Sequence, residues 1–207
     1  MINVLIVEDQ RLMRETMENY IRLADGYSLS GSLDRAGLAE EFCTDFPVDL
    51  VIMDVCTEND ESGFVAAKQI KAVRPDIKIV IVTSMLDFTY LNRAREVGAE
   101  GFWYKDTSEK ELMNVIDSVM KGEIVYPDKP PKVTVGIADN YDFSEAELRV
   151  LRPMVEGDSY SEIAKKLNIS PETVKTHVSH MLQKTGFKSK TQLVARIIKK
   201  NIIVNGY

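Results

Sequence analysis

Two rhythms of hydrophobic and polar positions divide the chain. Up to about residue 122, short apolar runs alternate with stretches of helical period. The runs 4–7, 27–33, 50–53, 79–83 and 101–104 predict strands. Between them, 12–23 places Met13, Met17 and Tyr20 on one face, and 64–73 is similar. Within 108–121, Leu112, Val115, Ile116 and Val119 take the i, i+3, i+4, i+7 spacing of an amphipathic helix. Residues 79–82 are apolar at every position, as in a strand covered on both faces. Five strand–helix units with right-handed crossovers make an α/β fold, a doubly wound five-stranded parallel sheet.

From residue 143 onward the period is helical. Ser144 followed three residues later by Glu147 is a capping box, opening a helix to about Val155 that Gly157 ends. The next helix, 160–167, buries Ile163, Ala164 and Leu167. Ser170 as N-cap and Pro171 at the first helical position open a third, 171–185. It carries Val174, Val178, Met181 and Leu182 on one face and Glu172, Lys175, Thr176, Ser179 and Gln183 on the other. A last helix, 189–199, turns Leu193 and Ile197 inward. Two short helices about a tight turn, the second with a polar face, predict an all-α four-helix helix-turn-helix domain. Three of the seven prolines fall within 126–132, so 123–142 reads as a linker between domains at 1–122 and 143–207.

Composition narrows the function classes. At 207 residues there is room for two domains, and 44% hydrophobic with 28% charged residues excludes a disordered chain. No apolar run approaches the ~18–20 residues of a membrane span, and the start has no basic n-region, so a cytoplasmic protein is expected. Cys43 and Cys56 form no CxxC pair and lie far from His177 and His180, which excludes a disulfide framework or zinc site. The net charge of −6 is unevenly spread. Residues 143–207 hold 11 Lys/Arg against 6 Asp/Glu, a net of +5, which leaves −11 on the rest. Only the C-terminal part suits a polyanion.

Function in doubly wound sheets gathers at the carboxyl ends of the strands. Here those ends carry Glu8 and Asp9, then Asp54, then Thr83 and Ser84, then Lys105. Three carboxylates at two neighbouring strand ends repel one another and suit Mg²⁺, a hard cation that prefers oxygen. A lysine and a hydroxyl beside them complete a site for a phosphoryl group. No GxGxxG or GxxxxGK[ST] is present, which excludes the usual nucleotide loops.

These residues resemble the receiver domain of bacterial two-component response regulators. The likeness rests on Val7-Glu8-Asp9, Met53-Asp54, Val82-Thr83-Ser84, Tyr104-Lys105-Asp106 and Gly98-Ala99-Glu100-Gly101. It implies a CheY-like fold in which Asp54 accepts a phosphoryl group from a sensor histidine kinase. Glu8, Asp9, Asp54 and the backbone carbonyl of Cys56 would hold Mg²⁺. Thr83 and Lys105 would contact the phosphoryl oxygens, and Phe102 matches the aromatic that changes rotamer on activation. The string from Ser161 to Val178, followed by Lys184-Thr185-Gly186 and Lys190-Thr191-Gln192, resembles the LuxR-type DNA-binding domain. Together the halves are similar to the NarL/FixJ class of response regulators. That likeness places Lys175, Thr176 and Ser179 toward base edges of double-stranded DNA. It makes Thr173, His177, Lys184, Lys188 and Lys190 phosphate contacts, His177 having a packing role as its alternative. Activation is expected to favour a homodimer on symmetric half-sites.

One stretch departs from the family. Residues 56–62 are one residue longer than usual, lack the customary proline and add Glu58, Asp60 and Glu61, which read as a solvated loop. The rival reading this leaves open is a DNA-binding regulator controlled by protein interaction at the receiver, without phosphorylation.

Overall fold

The computed structural model describes residues 1–87, 89–105 and 109–203. Asp106, part of one receiver motif, and Ser108, the expected start of a helix, lie outside the described residues. The chain forms two compact units, one of residues 1–84 and 88–129, the other of 85–87 and 130–207.

In the first unit, strands β1 (Ile2–Val7), β2 (Tyr27–Leu33), β3 (Leu50–Asp54), β6 (Lys78–Thr83) and β7 (Gly101–Tyr104) form one parallel sheet in the order β2-β1-β3-β6-β7. The doubly wound sheet expected from the sequence is thus present. Strand order reverses between β1 and β3, which opens a crevice at their carboxyl ends. The helices are α1 (Arg11–Leu23), α2 (Ala39–Asp45), α3 (Gly63–Val73), α4 (Thr89–Glu96) and α5 (Glu109–Met120). One face of the sheet packs Val4, Ile6, Leu50, Ile52, Val80 and Val82 against Met17 and Ile21 of α1 and Leu112, Ile116 and Val119 of α5. Because side chains alternate along a strand, Leu5, Val51, Ile79 and Ile81 face the other layer, and all four are fully buried.

The departure at 56–62 is built structure. Strand β4 (Cys56–Thr57) pairs antiparallel with β5 (Glu61–Ser62) across a single 3-10 turn. Glu61 accepts from Arg35 Nη2 at 2.5 Å and from the Gly37 N–H at 2.6 Å, while Thr57 Oγ1 accepts from the Ala36 N–H at 2.9 Å. Glu61 is therefore an anchor to the segment after β2, in place of the solvated residue expected. Ion pairing with Arg35 and the backbone bond hold its carboxyl below the ordinary range.

The second unit holds α6 (Glu145–Val155), α7 (Tyr160–Leu167), α8 (Pro171–Thr185) and α9 (Lys190–Lys199), at the expected places. Capping boxes at Ser144/Glu147 and Ser159/Glu162 fix two starts, and Ser170 caps α8 by accepting from the Thr173 N–H. Asn168 ends α7 in the left-handed region and Gly186 ends α8 there. The expected linker 123–142 is structured at both ends. Val125 bonds to the edge of β7, and β8 (Thr134–Val135) with β9 (Ala138–Asp139) forms a hairpin whose Ile137 N–H donates to the Thr185 carbonyl. Pairings of two residues are too short to show as periodicity.

Candidate functional site

At the crevice, the carboxyl ends of β1, β3, β6 and β7 deliver the groups. Glu8 follows β1 directly and is fully buried; Asp54 is the last residue of β3 and is buried; Asp9 is half-buried at the mouth. One carboxylate oxygen from each lies within 4.8 Å of the others. Lys105 follows β7, and its N–H donates to the Thr83 carbonyl at 2.9 Å. Its ammonium lies 2.6 Å from Glu8 Oε2 and 2.8 Å from Asp54 Oδ2. Thr83 is buried at the end of β6, one residue past Val82, which is paired with Asp54.

Burial raises the Asp54 carboxyl, Lys105 draws it back, and the Glu8 and Asp9 charges raise it again, leaving it pushed up to about 7. Burial lowers Lys105, but the two carboxylates beside it outweigh that and hold it above its ordinary value. One ammonium cannot neutralise three carboxylates, and the surplus donors are all oxygen. This donor set fits Mg²⁺. The sequence reasoning missed two residues that position it. Arg14 of α1 donates to the carbonyls of Glu8, at 2.6 Å, and Asp9, at 3.3 Å, and so fixes the turn that carries both acids. Gly63 opens α3 against the end of β3, where a Cβ would stand 1.9 Å from the Asp54 carbonyl oxygen. Gly63→Ala must therefore displace Asp54 or α3. It is expected to cost ~1–3 kcal/mol in urea unfolding and to weaken Mg²⁺ binding measured by titration calorimetry.

Phe102 is buried on β7, its ring 5.0 Å from Tyr104 and 6.1 Å from Tyr126. Cys56 opens β4 two residues after Asp54.

On α8, helical period separates two faces. Val174, Val178 and Met181 are buried, whereas Thr173, Lys175, Thr176 and Ser179 are exposed. Thr176 Oγ1 donates to the Glu172 carbonyl, and the Thr173 hydroxyl meets Ser170 Oγ at 2.9 Å. His177 is half-buried and lines a small cavity with Arg149, Val150, Leu167 and Ile169, which favours its packing role. Lys188 is exposed. Two lysines expected to meet phosphate are engaged within the unit. Lys184 donates to buried Glu147 at 2.7 Å and to the Asp142 carbonyl at 2.9 Å. Lys190 donates to the Asp158 carbonyl at 3.0 Å and lies over the Tyr160 ring.

Comparison with known proteins matches two segments of the chain. The family described as response regulator receiver domain matches residues 4–117, and bacterial regulatory proteins of the luxR family match 142–197. Response regulator protein VraR of Staphylococcus aureus is 30% identical over 98% of this chain and 99% of its own. RcsB of Salmonella enterica serovar Typhimurium, solved bound to promoter rprA in the presence of phosphomimetic BeF3-, has a TM-score of 0.62 at 20% identity. That match covers 95% of this chain and 98% of RcsB. A LuxR-family response regulator from Aurantimonas sp. SI85-9A1 matches with a TM-score of 0.58 at 24% identity, over 61% of this chain and 89% of its own. The chain belongs to the response regulators of the NarL/FixJ class, in which a receiver domain is joined to a LuxR-type DNA-binding domain and serves transcription regulation.

Proposed function

We propose that this regulator is switched by phosphorylation of Asp54 and then binds DNA as a dimer. The observation that carries the reading is the placement of Asp54, buried at the end of β3 with Lys105 Nζ at 2.8 Å and Glu8 and Asp9 alongside. A carboxylate oxygen of Asp54 attacks the phosphorus of a phosphohistidine on a sensor kinase. The new O–P bond forms as the P–N bond breaks, and its electron pair returns to the imidazole nitrogen. Lys105 and the Thr83 hydroxyl donate to the phosphoryl oxygens, drawing the end of β6 inward. Glu8, Asp9, Asp54 and the Cys56 carbonyl would hold Mg²⁺, which would supply neutralisation of charge on the transferring group. Phe102 then repacks, and the receiver surface that governs dimerisation changes.

In the DNA-binding half, Lys175, Thr176 and Ser179 read base edges, and Thr173 and Lys188 contact phosphate. Reading DNA calls for a protein that acts in the cytoplasm. No helix among the described residues is long and apolar enough to cross a membrane. The test is to incubate the full chain with Mg²⁺ and beryllofluoride and to follow dimerisation and DNA affinity together. Both are expected to rise; DNA binding that is unmoved while beryllofluoride is bound would place control elsewhere. Lys175→Ala is expected to cost ~1–3 kcal/mol on the preferred DNA sequence and little on random DNA. A uniform loss, seen by anisotropy titration on both, would make Lys175 a phosphate contact.

A further inference from the structure

After α5 the chain returns to the edge of the receiver sheet at Val125. Val125 pairs in parallel with Gly101 on β7, an edge strand. The Val125 N–H donates to the Glu100 carbonyl at 2.8 Å, and the Phe102 N–H donates to the Val125 carbonyl at 2.9 Å. Tyr126 closes over this pairing. Its hydroxyl donates to the Ala99 carbonyl at 2.7 Å, and the Arg95 guanidinium of α4 stands 4.5 Å from its ring centroid. Its ring lies 6.1 Å from that of Phe102. Burial pushes the Tyr126 phenol up to about 12, so it stays protonated and keeps donating. A cleft of about 230 Å³ lined by Phe102, Tyr126 and Pro127 adjoins the rings, which leaves space for movement without unfolding the sheet.

Phe102 thus touches this segment twice, through its ring and through its own N–H. An edge pairing of two backbone bonds and one ring contact is weak enough to exchange between seated and free, since each bond contributes about a factor of ten or less. We propose that residues 123–127 are a latch, seated on β7 by Tyr126 while Phe102 keeps its buried position and unseated when Phe102 moves. The latch converts a rotamer change inside the receiver into release of the segment leading toward the DNA-binding domain. It rests on the reading of Phe102 as the aromatic that responds to Asp54.

The experiment is residue-resolved hydrogen exchange of the full chain, with the amides of Val80, Ile81 and Val82 reporting that the sheet is intact. Phe102→Ala and Tyr126→Ala are each expected to speed exchange at Val125 on the order of tenfold without any phosphoryl donor. Beryllofluoride with Mg²⁺ is expected to do the same in the unaltered protein. Phe102→Leu serves in place of Phe102→Ala if the alanine variant loses the sheet. A Phe102 variant with an intact sheet and unchanged exchange at Val125 overturns the latch, whatever the phosphoryl mimic does. So does beryllofluoride that protects the amides around Asp54 and leaves Val125 unchanged. If beryllofluoride changes nothing anywhere while the Phe102 variant frees Val125, the latch stands and the phosphorylation reading fails.

Discussion

Asp54→Ala is expected to leave the chain folded and able to bind DNA while erasing the gain in affinity that beryllofluoride and Mg²⁺ produce. Coupling between two sites of this kind is typically worth ~1–3 kcal/mol, so the unaltered protein should gain ~5–150-fold and the variant nothing. The variant should also be no less stable in metal-free buffer, which separates lost switching from lost folding. Asp54 is 4% exposed and faces the Glu8 and Asp9 charges, so its removal relieves both burial and repulsion. Lys105 keeps Glu8 at 2.6 Å and is not left as an unpaired buried cation. Anisotropy titration on DNA selected by the activated protein, paired with thermal unfolding, checks both halves. An equal gain in the variant would remove Asp54 from the mechanism.

Lys184→Met should strike stability harder than DNA binding. The Glu147 side chain is 3% exposed and that of Lys184 is 38% exposed, so the pair is closed on the acid side and open on the ammonium side. Glu147 also accepts from the Ser144 N–H at 2.7 Å. Burial pushes its carboxyl up, but the donors from Lys184 and Ser144 outweigh burial and hold it below its usual 4.5. A carboxyl lowered by folding adds stability that is complete above 4.5 and fades as pH falls through the lower folded value. Removing the ammonium should cost ~1–3 kcal/mol at pH 7, because the buried acid loses a charged donor. The same change should flatten the loss of stability on acidification. Urea midpoints of the helical circular-dichroism signal at neutral and acid pH measure both. The dependence of log affinity on log salt should keep its slope. A slope smaller by about 1 would restore Lys184 as a phosphate contact.

What the sequence showed and hid follows from how local each signal is. The strand runs 27–33 and 101–104, the capping box at Ser144 and the Ser170-Pro171 start each lie within a few residues, and the structure places those elements there. The acids and Lys105 were legible because parallel strands bring their carboxyl ends together whatever the sequence distance. Glu61 and Lys184 were not. Their partners, Arg35 and Glu147, stand 26 and 37 residues away on other elements, and a charged side chain carries no mark of a distant partner. Arg14 escaped notice because it acts on backbone carbonyls, which leave no residue-type pattern. In the 36–45 region the helical stretch is short, with α2 only 7 residues long, so hydrophobic period alone could not announce it.

The seat of Val125 and Tyr126 sets the length of chain that runs from the sheet to the second unit. On the far side, the Pro130 carbonyl accepts from the Tyr141 hydroxyl and the Pro131 carbonyl accepts from the Asn140 amide at 3.1 Å. Asp128 and Lys129 stand between Pro127 and Pro130, and three steps of extended chain reach at most ~11 Å. If the chain is free from Gly122 onward, eight steps reach ~28 Å. Under the proposed release, the volume that the joining chain can sweep grows roughly fifteenfold. If the latch works as proposed, an edge pairing of a few residues sets tether length, and with it the range over which a small domain searches for DNA.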